Sequence, residues 1–424
     1  MIAVCEPQCK GISHEKVNSG FIYGIRLAFP DEKMVVYADP SHIKALQDII
    51  THDKLNINNI EFVPISFILS DSFKAFFVYY RLFEHLLKAV TDAGEERFFL
   101  LSFSPKILYI IKQLKKRPAF HKLKFTSILH GDFENVADDK PRSLTESFPQ
   151  QSALAKIKGR SFLDILGKAY EIGGRQMLKL KQLPVAVFSR FFGTKKILLL
   201  NQSADFKYIA LSPHAVKNAA RYLDLEKFRM YGVVLPTVFA KPLPKPENSY
   251  VKFGVFGYGN SAMLKQIAWR LSQKEIIKPY EIRIIGMDNS GLEEFPNITC
   301  PSPGKRLPRA DMERYAEDID MFLILYDKTR YRLTCSGSIL ESLSYMKPIL
   351  HFENDCINYF NREERPIGIC CSTVEEFSDK MKEIIENYVP YTKKFEAFRE
   401  NIMQAREEAA IENWSGTIRE SFTW

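Results

Sequence analysis

No apolar run in this sequence is long enough to cross a membrane. The longest, "RFFLLSF" from Arg97 and "DMFLILY" from Asp320, are strand-length, whereas a spanning helix needs about 20 apolar residues. The amino terminus "MIAVCEPQCKGIS" has neither a basic leader nor a long apolar core, so no secretory signal is read there. Seven cysteines occur without a CxxC pair, which argues against a disulfide scaffold or a zinc site and suits a reducing cytoplasm. Short repeats, low-complexity tracts and carboxylate–histidine clusters with metal-ligand spacing are also absent.

What is present is 424 residues, 46% hydrophobic and 13% aromatic, sufficient for two to three domains with cores of their own. The first two hundred residues alternate strand-like runs ("MIAVC", "KMVVYA", "IEFVPI", "RFFLLS", "LKFTSILHG") with helix-like ones. This pattern predicts an α/β fold with a parallel sheet covered on both faces. "YIALS" and "RMYGVVLP" read as further strands, and the Pro-rich "FAKPLPKPENSY" as a semi-rigid linker. A second alternating block follows, with strands "VKFGVFG", "EIRIIGMD", "DMFLILY", "KPILHF" and "IGICC". Ser372 or Thr373 caps the helix after it, with Glu375 and Glu376 in the first turn. The expected division is a doubly wound domain over 1–240, a second over 241–395 and a closing helical segment over 396–424.

Ligands of open α/β sheets sit beyond the carboxyl ends of the strands. Two such ends in the second block carry phosphate-binding chemistry. At one, Gly257-Tyr258-Gly259 leads into a helix starting near Ser261. At the other, the loop "DKTRYRLTC" precedes Ser336-Gly337-Ser338, which open the next helix. Glycine lets a ligand approach the backbone, and a helix start offers unpaired N–H groups and a positive dipole end. Arg330 and Arg332 add charge nearby. Glu341, about one turn in, suits the two hydroxyls of a ribose. The plainer readings are that the serines only cap their helix, that Glu341 only complements its dipole, and that the arginines are solvated. Gly257–Ala262 also fits G-x-G-x-x-A, the dinucleotide fingerprint of NAD-dependent oxidoreductases. The acid that should end the next strand is Asp288, about ten residues later than that motif requires.

Taken together, "DIDMFLILY…SGSILESLSYMKPIL" and the order of elements resemble the GT-B-fold glycosyltransferases, most closely the large bacterial retaining group that builds cell-surface polysaccharides. The resemblance implies two facing Rossmann-like domains, a nucleoside-diphosphate sugar held by the second, a last helix crossing back to the first, and no metal cofactor. The group's E-x7-E pair would place its first Glu at Leu333, so only Glu341 matches, as ribose binder. Lys265 stands nearest the basic residues that cradle the phosphates. His130, in "FTSILHGDFEN", resembles the strand-end histidine that faces the donor. It would hydrogen-bond the transferred sugar or help deprotonate an acceptor, with Asp132 and Glu134 as alternative bases. Gly11 and His14 occupy the acceptor-side loop after the first strand. His42, His52, His85 and His121 read as surface or helix residues without a role. Asp318-Ile319-Asp320 contains D-x-D but precedes its strand, and reads as a helix end. An epimerase of the same fold and a non-catalytic sugar-nucleotide-binding protein remain open beside the transferase.

Residues 151–200 hold ten Lys/Arg against two acids, Asp164 and Glu171, the whole of the chain's net +8. Mixed with Phe, Leu and Ile, this basic insert is expected either to lie on an anionic membrane surface, near a polyprenyl-diphosphate-linked acceptor, or to pack as helices with a solvated basic face. No nucleic-acid-binding motif accompanies the charge.

Overall fold

The computed structural model describes residues 1–66, 73–102, 104–138, 193–239, 242–256, 260–286, 291–301, 307 and 309–424. The Gly257–Gly259 turn, Arg190 and nearly all of the basic insert lie outside them. The chain forms two compact units, Met1–Val233 with Ser415–Trp424, and Val234–Trp414.

Among the described residues, the first unit carries β1 (Ile2–Cys5), β2 (Met34–Ala38), β3 (Ile60–Pro64), β4 (Arg97–Leu100), β5 (Lys124–Leu129), β6 (Phe206–Ala210) and β7 (Met230–Gly232). They pair throughout in parallel in the order β3-β2-β1-β4-β5-β6-β7. β1, β4, β5 and β6 are almost wholly buried, which is why they read as unbroken apolar runs rather than alternating ones. Asp39, with Pro40 behind it, caps the helix Pro40–His52 by accepting from the Ser41 amide.

The second unit carries β8 (Val251–Phe256), β9 (Tyr280–Ile285), β10 (Ile298–Thr299), β11 (Met321–Ile324), β12 (Ile349–Phe352) and β13 (Gly368–Cys371), parallel in the order β10-β9-β8-β11-β12-β13. The two-residue β10 escapes a sequence reading because it is too short to show a period. Thr373 and Glu376 close the expected capping box: Thr373 Oγ1 accepts from the Glu376 amide at 3.1 Å, and Glu376 accepts from the Ser372 amide at 2.7 Å.

The long helix Tyr388–Ala409 belongs to the second unit, where Phe395 and Phe398 enter its core. The chain rejoins the first unit only at Ser415, later than the expected 396. That return is firmly attached. Phe422 stacks on Phe99 at 4.7 Å, Thr126 Oγ1 donates to the Ser421 carbonyl at 2.6 Å, and Arg419 donates to the Ala28 carbonyl at 2.8 Å.

Candidate functional site

In each sheet the strand order reverses beside its first strand, between β1 and β4 and between β8 and β11. Such a switch point opens a crevice beyond the carboxyl ends. In the second unit Ser336, Gly337 and Ser338 stand at this edge, at the start of the helix Gly337–Ser344. Ser338 Oγ donates to the Phe256 carbonyl at 3.3 Å and lies 3.0 Å from the Tyr326 hydroxyl. One side chain thereby ties the last residue of β8 to the segment leaving β11, and places the helix Gly337–Ser344 beside the carboxyl end of β8. Ser336 is the N-cap, accepting from the Ser338 amide at 3.2 Å, and its own amide lies 3.5 Å from Cys356 Sγ. The two serine hydroxyls are therefore engaged within the fold. What the helix start leaves for a ligand is the amide of the exposed Gly337, which has no intrahelical acceptor, whereas Ile339 is fully buried. A Cβ built on Gly337 would meet nothing within 4 Å, so the mouth is open.

Glu341 is half-buried one turn further on. Leu333, where a first glutamate would stand, is fully buried. Arg330 is exposed, on a loop held by Asn354, whose Nδ2 donates to the Asp327 and Arg330 carbonyls at 2.7 and 2.8 Å. The helix expected near Ser261 runs Ser261–Ser272, and Asn260 caps it by accepting from the Met263 amide at 3.1 Å. Ser261 is exposed at its first position. Lys265, also exposed, pairs with Glu294 at 2.8 Å.

The D-x-D residues lie at the opposite, amino edge. Asp320 accepts from the Lys252 amide at 2.8 Å and the Tyr388 hydroxyl at 2.8 Å, and Asp318 pairs with Lys252 at 2.5 Å and with Arg283. Among the described residues no group of three or more His, Cys, Asp or Glu is placed to hold a metal ion.

In the first unit the structure brings His14 and His130 together, edge to face, with ring centroids 5.2 Å apart. His14 ends the β1 loop in a left-handed conformation (φ 55°) at the start of the helix Glu15–Ala28. His130 follows β5. Burial, reinforced by His14, pulls its pKa down to about 3, against the opposing pull of a hydrogen bond to the Leu101 backbone. Its Nε2 is buried and has no partner. Gly11 sits in the same loop with φ 51°, and Gly131 borders open space. Asp132 and Glu134 follow, half-buried, in the 3-10 turn Gly131–Asp138.

Other residues at this edge were not anticipated. Glu6, directly after β1, is buried with its carboxylate fully hydrogen-bonded. His42 is not a surface residue: it is fully buried and bonds Asn18 and the Gly11 carbonyl. Its spacing from Ala45, Leu46 and Ile49, which are buried on the same helix face, is the signal that would have located it. His52, His85 and His121 are exposed.

No protein-family description matches this sequence, and no curated protein matches it. Solved structures do. A glycosyltransferase from Rickettsia africae ESF-5 aligns over 99% of this chain and 98% of its own, with TM-score 0.57 and 8% identity. The lipopolysaccharide outer core galactosyltransferase WaaB in its apo form aligns over 99% of both chains, with TM-score 0.58 and 12% identity. Anabaena HepE in complex with UDP-glucose aligns over 99% of both, with TM-score 0.55 and 10% identity. The chain therefore has the GT-B fold found in these glycosyltransferases.

Proposed function

We infer that the chain is a glycosyltransferase that moves a sugar from a nucleoside-diphosphate sugar to a glycan or lipid-linked acceptor in the assembly of a surface polysaccharide. The observation that carries this is the second unit's switch point, where Ser338 joins the ends of β8 and β11 beneath an open helix mouth. The diphosphate rests on the Gly337 amide and on the residues from Gly257 to Ser261, with Arg330 and Lys265 supplying charge. Glu341 accepts from the ribose hydroxyls. Support for a sugar nucleotide comes from HepE with bound UDP-glucose and from an Arabidopsis thaliana enzyme complexed with UDP-L-rhamnose, both of the same fold. The amides and Arg330 stabilise the charge that grows on the leaving diphosphate, the role a preorganised dipole performs best, and no metal is required.

In the first unit His130 serves as a hydrogen-bonding partner of a sugar hydroxyl. A nitrogen whose pKa lies near 3 is a poor proton acceptor at neutral pH. Asp132, with Glu134 in the same turn, is the alternative base for the acceptor's proton, and Gly11 and His14 shape the acceptor's approach. Among the described residues no helix is long and apolar enough to cross a membrane. The basic insert provides the membrane contact, holding the enzyme as a peripheral protein on the inner leaflet beside a polyprenyl-diphosphate-linked glycan. Thermal unfolding in the presence of UDP-, GDP-, CMP- and ADP-linked sugars tests the reading. One nucleotide class is expected to raise Tm, and a flat response to all four would overturn it. Co-sedimentation with anionic vesicles at low salt tests the membrane contact, which fails if the protein stays in solution.

A further inference from the structure

The carboxylate of Glu6 accepts from the Gln8 amide (2.8 Å), the Cys9 amide (3.0 Å), the Ser102 hydroxyl (2.6 Å) and Asn18 Nδ2 (2.9 Å). All four donors are neutral. A buried carboxylate persists only when its lone pairs are taken up, and four donors converging on one side chain call for a group that only accepts. Asn18 directs its remaining amide proton at His42 Nε2, 3.0 Å away, which makes Nδ1 the protonated nitrogen. Nδ1 donates to the Gly11 carbonyl at 2.8 Å.

These bonds grip the β1 loop at three places. Glu6 holds its beginning at Gln8 and Cys9. His42 holds its middle at Gly11. Asn18 holds the first turn of the helix that His14 opens, where the Asn18 amide also donates to the His14 carbonyl at 2.9 Å. The same carboxylate binds Ser102, next to Leu101, whose backbone bonds the His130 ring. One buried anion at the β1/β4 switch point thus anchors both the loop that ends in His14 and the turn that steadies His130.

We propose that Glu6, Asn18 and His42 are positioning residues that set His14 edge-on against His130. This deepens the transferase reading and rests on it for its use in catalysis, while the geometry itself does not depend on transfer.

The test uses the full chain, selectively labelled at histidine, near pH 7.5. Ring signals of His14 and His130 are assigned with His14→Gln and His130→Gln, and the nuclear Overhauser effect between the two rings is measured. The parent chain shows it. Glu6→Gln turns an NH2 group against at least one donor, and is expected to abolish the ring-to-ring signal in a folded protein. His42→Gln, which keeps an acceptor oxygen near Nε2 but loses the donor to Gly11, is expected to do the same. His42→Asn, which keeps a donor near Nδ1, restores it. If Glu6→Gln does not fold, the His42 pair decides. Folded Glu6→Gln or His42→Gln with the signal and ring shifts of the parent overturns the relay. Turnover is read separately: a parent chain with an intact ring-to-ring signal but no transfer from any sugar nucleotide counts against the transferase reading and leaves the relay standing.

Discussion

Replacing Gly337 by alanine separates the helix's part in the fold from its part at the site. Gly337 is the first residue of the helix Gly337–Ser344, it does not adopt a left-handed backbone, and an added methyl would meet no atom within 4 Å. On the fold alone the change is favourable, since glycine costs a helix roughly 0.5–1 kcal/mol relative to alanine, much of it through the unfolded chain. For a unit of this size that gain raises Tm by about 1–4 °C. On the site the change is harmful, because the methyl stands where a diphosphate must approach the Gly337 amide. A hydrogen bond to a charged oxygen contributes about 1.5–3 kcal/mol, so its loss weakens nucleotide binding by roughly 10- to 150-fold. Differential scanning calorimetry of the unliganded protein and titration calorimetry with the nucleotide that raises Tm most give both numbers. A variant that is more stable and binds as tightly as the parent would refute the placement of the diphosphate. A variant that is destabilised would refute the open mouth.

Glu341→Ala is expected to weaken a ribonucleotide by about 1–2 kcal/mol but leave its 2′,3′-dideoxy analogue nearly unchanged, in keeping with loss of the bonds to the ribose hydroxyls; equal losses on both ligands would remove Glu341 from the ribose. Acid should destabilise both units. His130 and His351 are held neutral by burial, with pKa values of about 3 and about 4 against an ordinary 6.5. The folded state therefore binds fewer protons than the unfolded one, and stability that is complete above pH 6.5 falls as pH drops toward those values. At pH 5 the loss is about 2 kcal/mol for His351 and up to that for the less buried His130, measurable by urea unfolding at pH 7 and pH 5. A flat profile across that range would contradict the burial of both rings. Arg406 donates to the Leu343 and Ser344 carbonyls at 3.1 and 2.5 Å, closing the far end of the site helix. Arg406→Met should cost roughly 2–4 kcal/mol by leaving those carbonyls unpaired, read as a lower urea midpoint of the second unit; an unchanged midpoint would show that water replaces the guanidinium.

Much of the architecture was legible because it is local. Parallel strands buried on both faces read as apolar runs, and caps such as Thr373 and Asp39 announce their helices within four residues. His42 was missed although its helical spacing from Leu46 and Ile49 was on view, because a polar residue on an apolar face reads as exposed until its partners are known. Glu6 carried no local signal, since nothing around a single glutamate at a strand end foretells four donors. The serines of 336–338 read from sequence either as ligand groups or as caps, and the structure engages their hydroxyls as cap and strand tie.

By itself the sequence determined most of the elements and their order, because hydrophobic period, capping and glycine act over a few residues. Only the tertiary structure decided which distant groups meet. Glu6 finds Ser102 across 96 positions and Ser338 finds Phe256 across 82, and His14 meets His130. Such meetings depend on β1 lying beside β4 and β8 beside β11. That adjacency comes from packing whole βα units around a core, and the loops that profit from it carry no periodic pattern from which it could be read.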